Sequence, residues 1–242
     1  MLENIDNIYL LGTAHVSKQS QKDIISQIEL LKPEVVAIEL DLGRLRALLE
    51  ENKDKKKKKK SLPIKELGLG GYIFAKVGGY VQSKIAKKLG VESGIDMKTA
   101  FLEARKHKIP TALIDQNIQI TLKNFSKIPF TKKFKIFSNL IFKSFNKKYK
   151  KELNIDISKG IPNSKELEKI LAIIQREAPE LYQVLIHNRN VYMVEKLLKL
   201  REKHQGPILA VLGAGHVPGM FELLKQEINN PNKVEFSFTI EN

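Results

Sequence analysis

The first forty residues consist of two apolar segments separated by one amphipathic segment, and this order restricts the fold more than any other feature of the chain. Residues 7–11 form a short apolar run that ends at Gly12, and residues 34–40 form the second run. Between them, Ser17 can cap a helix that extends to about Leu31 and carries isoleucine and leucine on one face. A strand–helix–strand unit of this kind favours parallel strands joined by a right-handed crossover.

The rest of the chain continues this alternation. Residues 109–115 and 207–212 predict a third and a fourth strand, and residues 234–240 alternate apolar and polar residues as an edge strand does. Helices are predicted at residues 42–51, 97–108, 167–174, 178–203 and 217–228. We therefore predict one α/β domain over residues 1–242, with a largely parallel or mixed central sheet flanked by helices.

Two segments interrupt the pattern, at about residues 53–95 and 120–185, and both are predicted to be mostly helical insertions. The first begins with a run of lysines and continues with glycines among apolar residues, which predicts a loosely packed helical hairpin or a lid. In the second, phenylalanines alternate with lysines from Phe125 to Tyr149, a spacing typical of a basic amphipathic helix.

Composition argues against several classes of function. The net charge is +15, but only 6 of the 42 basic residues are arginine, the residue that proteins prefer for reading duplex nucleic acid, so nucleic acid is not an expected partner. The chain has no cysteine, which excludes disulfides and thiolate chemistry and fits a reducing, cytoplasmic location. It also has no run of about 18 apolar residues and no signal peptide, so we expect no membrane span.

The same motif, an apolar strand followed by Gly-x-x-His-Val, occurs at residues 10–16 and again at residues 211–217. Ligands of open α/β sheets bind beyond the carboxyl ends of the strands, where His15 and His216 would lie. Glu39 ends the second strand at the same edge, and a carboxylate there is costly unless it is paired, hydrogen-bonded or bound to a metal. Two histidines and one carboxylate are a common ligand set for Zn²⁺, Mn²⁺ or Fe²⁺.

These residues also have purely structural interpretations. The two histidines could be ordinary loop residues, and Glu39 could form an ion pair with Arg44 or Arg189. Arg189 lies between two amides on a predicted helix, where its guanidinium fork could hold a carboxylate or an oxyanion. Asp41 is better interpreted as the cap of the helix that follows it.

Three motifs in this order resemble those of the TraB/PrgY family, named for pheromone-shutdown proteins. They are Gly-Thr-Ala-His-Val-Ser at residues 12–17, a strand ending in Glu39 and Leu40 that is followed by Arg44, and Gly-Ala-Gly-His-Val at residues 213–217. Residues 94–122 are similar to the middle block of the family. The resemblance spans most of the chain outside the lysine run and the Phe/Lys segment.

The resemblance implies kinship with a wider group that has paired Gly-x-x-His motifs. That group includes the Tiki proteins, described as metal-dependent proteases, the erythromycin esterases and the haem-associated ChaN-like proteins. By this kinship His15, Glu39 and His216 lie in the active centre, with Arg189 and Asn190 nearby. The chain departs from the family pattern where acidic residues are frequent, at Gln116, Asn117, Asn188 and Asn190, and the lost charges imply altered metal affinity, another substrate or lost catalysis.

Members of the family commonly carry membrane-spanning helices after the TraB region. The resemblance therefore leaves two alternatives, a soluble protein or the soluble part of a membrane-anchored one. The Phe/Lys segment at residues 125–150 could lie on an anionic membrane surface, or it could pack its phenylalanines on the core or on the second subunit of a homodimer.

We expect a metal-dependent hydrolase that cleaves an amide or ester bond in a peptide or small-molecule substrate. His15, His216 and Glu39 would bind one divalent ion, Mn²⁺, Co²⁺ or Zn²⁺, or Glu39 would act as general base. Arg189 would hold a substrate carboxylate or the developing oxyanion, and the candidate catalytic residues are Glu39, Arg44, Arg189 and Asn190. The alternative is a binding protein that sequesters a peptide or another ligand without turnover.

Overall fold

A computed structural model describes residues 1–13, 18–50, 94–129, 131–132 and 164–229 of the chain. Within these residues five strands form one mixed sheet in the order β1-β2-β5-β3-β4, in which β1 pairs antiparallel to β2 and the other pairs are parallel. The predicted α/β fold is confirmed. The strands are β1 Leu2–Ile5, β2 Ile8–Thr13, β3 Val35–Ile38, β4 Thr111–Leu113 and β5 Ile208–Gly213.

Helices connect and cover these strands close to the predicted positions. The helix predicted over residues 178–203 is divided by a single π turn at Gln183–His187, and a 3₁₀ turn at Ala214–His216 follows β5. In the described residues, no helix is long and apolar enough to cross a membrane. The helices are α1 Lys18–Leu31, α2 Leu42–Glu50, α3 Ile95–Lys106, α4 Ile118–Lys127, α5 Ser164–Glu177, α6 Pro179–Tyr182, α7 Asn188–Lys203 and α8 Val217–Asn229.

Two features of the structure differ from the prediction. Strand β1 was not predicted, because its side chains alternate between exposed and half-buried positions and form no apolar run. The amphipathic helix predicted from Phe125 is interrupted at once, since α4 ends at Lys127 and Ile128 is extended before Pro129, as residues before proline prefer. Most of the rest of that helix, nearly all of the first insertion, about half of the second insertion and the predicted strand at residues 234–240 lie outside the described residues.

The two faces of the sheet are covered by different helices. Helices α7 and α8 pack Met193, Leu197, Met220 and Leu224 against one face of the sheet. Helices α1 and α3 cover the other face, with Ile24, Ile28, Met97 and Ala100. After β2 the chain therefore enters α1 on one face of the sheet, and after the neighbouring strand β5 it enters α8 on the opposite face. Such a divergence opens a crevice at the carboxyl ends of the strands, where α/β proteins bind ligands.

Candidate functional site

Polar side chains meet at this carboxyl edge of the sheet and are buried there. Glu39 follows β3, Asp115 follows β4, His216 ends the 3₁₀ turn after β5, and Asn190 lies in the first turn of α7. None of these four residues is more than 5% exposed. A buried polar group is costly unless it is hydrogen-bonded, so the contacts of each residue indicate its role.

Glu39 contacts groups from three different elements. Its Oε2 accepts a hydrogen bond of 2.6 Å from the backbone N–H of Gly213, and its Oε1 accepts one from Arg189. The same Oε1 lies 3.2 Å from Nε2 of His216. The ion pair between Glu39 and Arg189 that the sequence left open is therefore present, and it does not prevent contact with the histidine.

Arg189 connects two carboxylates that come from different strands. Its Nε and one terminal nitrogen donate to the two oxygens of Asp115, at 3.1 and 2.6 Å, and that terminal nitrogen also donates to Glu39. The other terminal nitrogen donates to the carbonyl of Leu185 at 3.3 Å. Burial works against the charged guanidinium, but the charges of Glu39 and Asp115 outweigh it and raise the pKa of Arg189 above its usual value.

The π turn just before α7 positions Arg189. A π turn adds one residue to a helix, so the residues after it are rotated relative to those before it. Residues Gln183–His187 form this turn, and Arg189 and Asn190 follow it in the first turn of α7. Such turns are frequent at functional sites, and helical periodicity in a sequence does not reveal them.

Asp41 and Arg44 extend the charged cluster towards α2 and α4. The backbone N–H of Arg44 donates to Oδ1 of Asp41 at 2.9 Å, so the predicted cap of α2 is confirmed. The Arg44 guanidinium donates to Asp41 at 2.7 Å and to Asp115 at 2.6 Å, and the N–H of Ile118 donates to Asp41 at 3.2 Å. One continuous network of alternating charges therefore runs from Asp41 to Glu39.

Replacing Asp41 with asparagine is expected to make stability depend less on pH. Burial alone would raise the pKa of Asp41, but hydrogen bonds from Arg44 and Ile118 and the charge of Arg44 outweigh it and hold that pKa below its usual value. The carboxylate therefore contributes stability above about pH 4, and this contribution is lost as the pH falls through the lowered folded-state pKa. Urea unfolding should show Asp41→Asn less stable than wild type by about 0.5–1 kcal/mol at pH 7, with the difference closing towards pH 3. A difference that is constant with pH would contradict this.

His216 is held between an amide and a carboxylate. Its Nδ1 lies 2.6 Å from Oδ1 of Asn190, and its Nε2 faces Glu39. Because Oδ1 only accepts, the neutral tautomer that fits this contact carries its proton on Nδ1 and presents the Nε2 lone pair to the carboxylate. Two acceptors 3.2 Å apart repel each other unless a proton or a metal ion lies between them.

Gly219 provides the space that Asn190 occupies. A Cβ atom at Gly219 would lie 2.4 Å from Nδ2 of Asn190, whereas one at Gly215 would meet nothing within 4 Å. We therefore expect Gly219→Ala to displace Asn190 from His216 and to lower the free energy of unfolding by about 1–3 kcal/mol. Gly215→Ala is the matched control and should change it by less than about 0.5 kcal/mol. Urea denaturation of both variants tests this, and equal stability of the two would contradict it.

The geometry around His216 and Glu39 fits a metal ion. Two ligands of one ion at about 2.0–2.2 Å are themselves about 3.0–3.5 Å apart, and Nε2 and Oε1 lie 3.2 Å apart. Metal-binding histidines usually donate their other N–H to an oxygen, as His216 can to Asn190. Carboxylates that bind a metal usually accept further hydrogen bonds, as Glu39 does from the N–H of Gly213. The described residues contain no group of three possible ligands placed around one point. His15, the predicted third ligand, lies outside them and its role stays a prediction.

Asp115 is a member of the cluster that the sequence analysis did not single out. It is a carboxylate at the end of an apolar strand, the same signal that identified Glu39, and it contacts both arginines. The predicted candidates Glu39, Arg44, Arg189, Asn190 and His216 all lie in or beside this cluster. Their catalytic roles remain predictions.

Gln116 and Asn117, two positions where the chain departs from the acidic pattern of the family, form local hydrogen bonds. The amide of Gln116 donates to the hydroxyl of Thr121 at 2.7 Å, and both residues are buried. Asn117 caps α4, since its Oδ1 accepts from the N–H of Gln119 at 2.9 Å. These neutral side chains therefore stabilise the turn between β4 and α4.

Comparison with known proteins places the chain in a family. The sequence profile of the TraB/PrgY/gumN family matches residues 3–235. An uncharacterized protein of Methanocaldococcus jannaschii is 33% identical over 232 residues, which cover 95% of this chain and 56% of that protein. The TraB domain-containing proteins of mouse and human are 26% and 25% identical over 252 residues, which cover 94% of this chain and 65% of each relative.

The match covers nearly the whole chain, and the chain spans less than two thirds of the length of these relatives. Both Gly-x-x-His motifs and the Glu39 region fall inside the matched residues. The chain is therefore a member of the TraB/PrgY/gumN family.

Proposed function

We propose that the cluster at the carboxyl edge of the sheet is the centre of a metal-dependent hydrolase that cleaves an amide or ester bond in a peptide. The observation that carries this proposal is the approach of Nε2 of His216 to Oε1 of Glu39 at 3.2 Å. With Asn190 accepting from the other ring nitrogen, this arrangement needs a cation between the two acceptors or a second proton on the ring.

His216 and Glu39 would supply two ligands, and His15 would supply the third from the matching motif after β2. Strands β2 and β5 pair with Thr13 opposite Gly213, so both motifs leave the sheet at neighbouring strand ends. A bound divalent ion would supply an activated water, since it can lower the pKa of water to about 7.

The remaining residues of the cluster would position these ligands. Arg189 holds Glu39 in place and is itself fixed by Asp115 through a bidentate contact. Arg44 and Asp41 secure Asp115 in turn. Arg189 also brings a fixed positive charge to the edge of the crevice, where it would favour negative charge that develops on a substrate oxygen.

The test is hydrolysis of fluorogenic peptide amides and p-nitrophenyl esters by chelator-treated protein to which Mn²⁺, Co²⁺ or Zn²⁺ is returned. We expect turnover that requires the metal and is lost in His216→Ala but kept in His107→Ala, because His107 is exposed and lies between α3 and the amino end of β4, at the opposite edge of the sheet. Metal binding without turnover of any substrate would support the sequestering alternative instead.

A further inference from the structure

A cavity of about 610 Å³ lies beside the proposed metal site, between α5, α6, α8 and the start of the chain. Apolar side chains that include Met1, Leu171 and Phe221 form much of its wall. Two carboxylic acids, Glu3 and Glu222, and the phenol of Tyr182 also line it. The cavity is large enough for one long side chain of a bound ligand.

The cavity shares a wall with the residues that hold His216. Val217, Pro218 and Gly219 line the cavity and follow His216 directly in the chain. On the other side of this wall, the amide of Asn190 fills the space at Gly219. A ligand in the cavity would therefore place its neighbouring atoms close to the proposed centre.

The charged side chains on the described wall of the cavity are acidic, whereas the chain as a whole is basic. The chain carries a net charge of +15, yet no lysine, arginine or histidine is among the described residues that line this cavity. Within the described part of the chain, neither Glu3 nor Glu222 has an ion-pair partner. Apolar walls with two carboxylates complement a side chain that has an apolar stem and a cationic head, as in lysine and arginine.

We propose that this cavity is a specificity pocket for a lysine or arginine side chain of a peptide substrate. The assignment rests on the proposed function for the identity of the substrate. The stem would pack on Met1, Leu171 and Phe221, and the head would reach Glu3 and Glu222. Peptides with an acidic side chain at that position would be rejected by like charge.

The assignment is tested by binding in the presence of chelator, where no turnover occurs. The probes are acetylated and amidated Ala-Lys-Ala, the same peptide with norleucine, which lacks the amine, and the same peptide with glutamate. Calorimetry with the full chain should show that the lysine peptide binds at least about fivefold tighter than the norleucine peptide, with the glutamate peptide weakest.

Two variants separate the charge of the pocket from its volume. Replacing both Glu3 and Glu222 with glutamine should erase the preference for lysine, whereas Glu227→Gln, on the same helix but outside the cavity, should preserve it. Ala172→Phe, at an exposed position of the wall, should weaken binding of the lysine and norleucine peptides alike. Equal affinity for these two peptides, or a preference that survives the double substitution, would overturn the assignment.

The pocket and the metal site can fail separately. His216→Ala should abolish metal binding and keep the preference for lysine, because His216 is not among the residues that line the cavity. If the preference is absent while wild-type protein binds metal, only the pocket is wrong. If the preference is present in protein that binds no metal, only the proposed hydrolytic centre is wrong.

Discussion

Replacing Arg189 with methionine is expected to lower the free energy of unfolding by about 3–5 kcal/mol, the largest effect that we predict for a single substitution. The substitution removes the shared counter-ion of Glu39 and Asp115, and both carboxylates would stay buried beside each other. Removing one partner of a buried ion pair is costly because the other charge loses compensation, and of the two arginines Asp115 would keep only Arg44. Urea denaturation monitored by circular dichroism measures the difference.

Two further variants make this result interpretable. Arg189→Lys keeps the charge but loses the planar fork that contacts Asp115 in two places, so it should recover only part of the stability. Arg201→Met removes the partner of the exposed Asp6 and should cost about 0–1 kcal/mol. Similar losses in Arg189→Met and Arg201→Met would show that the buried network contributes little.

Replacing Asn190 with alanine is expected to weaken metal binding by about 10–100-fold while the protein stays folded. Asn190 supplies the oxygen that faces Nδ1 of His216, and without it the ring loses its orientation and its defined tautomer. Calorimetric titration of the purified variant with Mn²⁺, Co²⁺ and Zn²⁺ measures the loss.

Asn188→Ala is the matched control for this experiment. Asn188 is two residues away on the same helix, and its side chain accepts from Gln183 at the exposed side of the π turn. It should therefore leave metal affinity unchanged. Equal metal affinity of Asn190→Ala and wild type would show that the contact between Asn190 and His216 has no role in metal binding.

The parts of the fold that have simple periodicity could be predicted from the sequence. Strands β2, β3 and β5 are buried on both faces and therefore appear as continuous apolar runs. Strand β1 could not be predicted, because it is a short antiparallel edge whose residues are all at least partly exposed. The helix is interrupted after α4 because Pro129 disfavours helical backbone at the residue before it. The amphipathic pattern of the segment concealed this effect.

The site was only partly predictable, because some of its contacts join residues that lie far apart in the sequence. Residues at or just after the end of a strand, such as Glu39 and His216, can be located from the sheet edge alone. The bridge from Arg189 to Asp115 spans 74 residues of sequence and depends on the π turn, which has no signature in hydrophobic periodicity. The sequence therefore identified Arg189 as a fork for a carboxylate, with Glu39 as one possible partner, but it did not identify Asp115.

The central claim is that His216 and Glu39 bind a divalent metal ion, and calorimetric titration of Mn²⁺, Co²⁺ and Zn²⁺ into chelator-stripped protein tests it most directly. The titration uses wild type, His216→Ala, His15→Ala and the exposed-residue control His107→Ala. We predict one site of about micromolar affinity or better in wild type and the control, lost in His216→Ala and in His15→Ala. No binding to folded wild type, or equal binding to His216→Ala, would contradict the account.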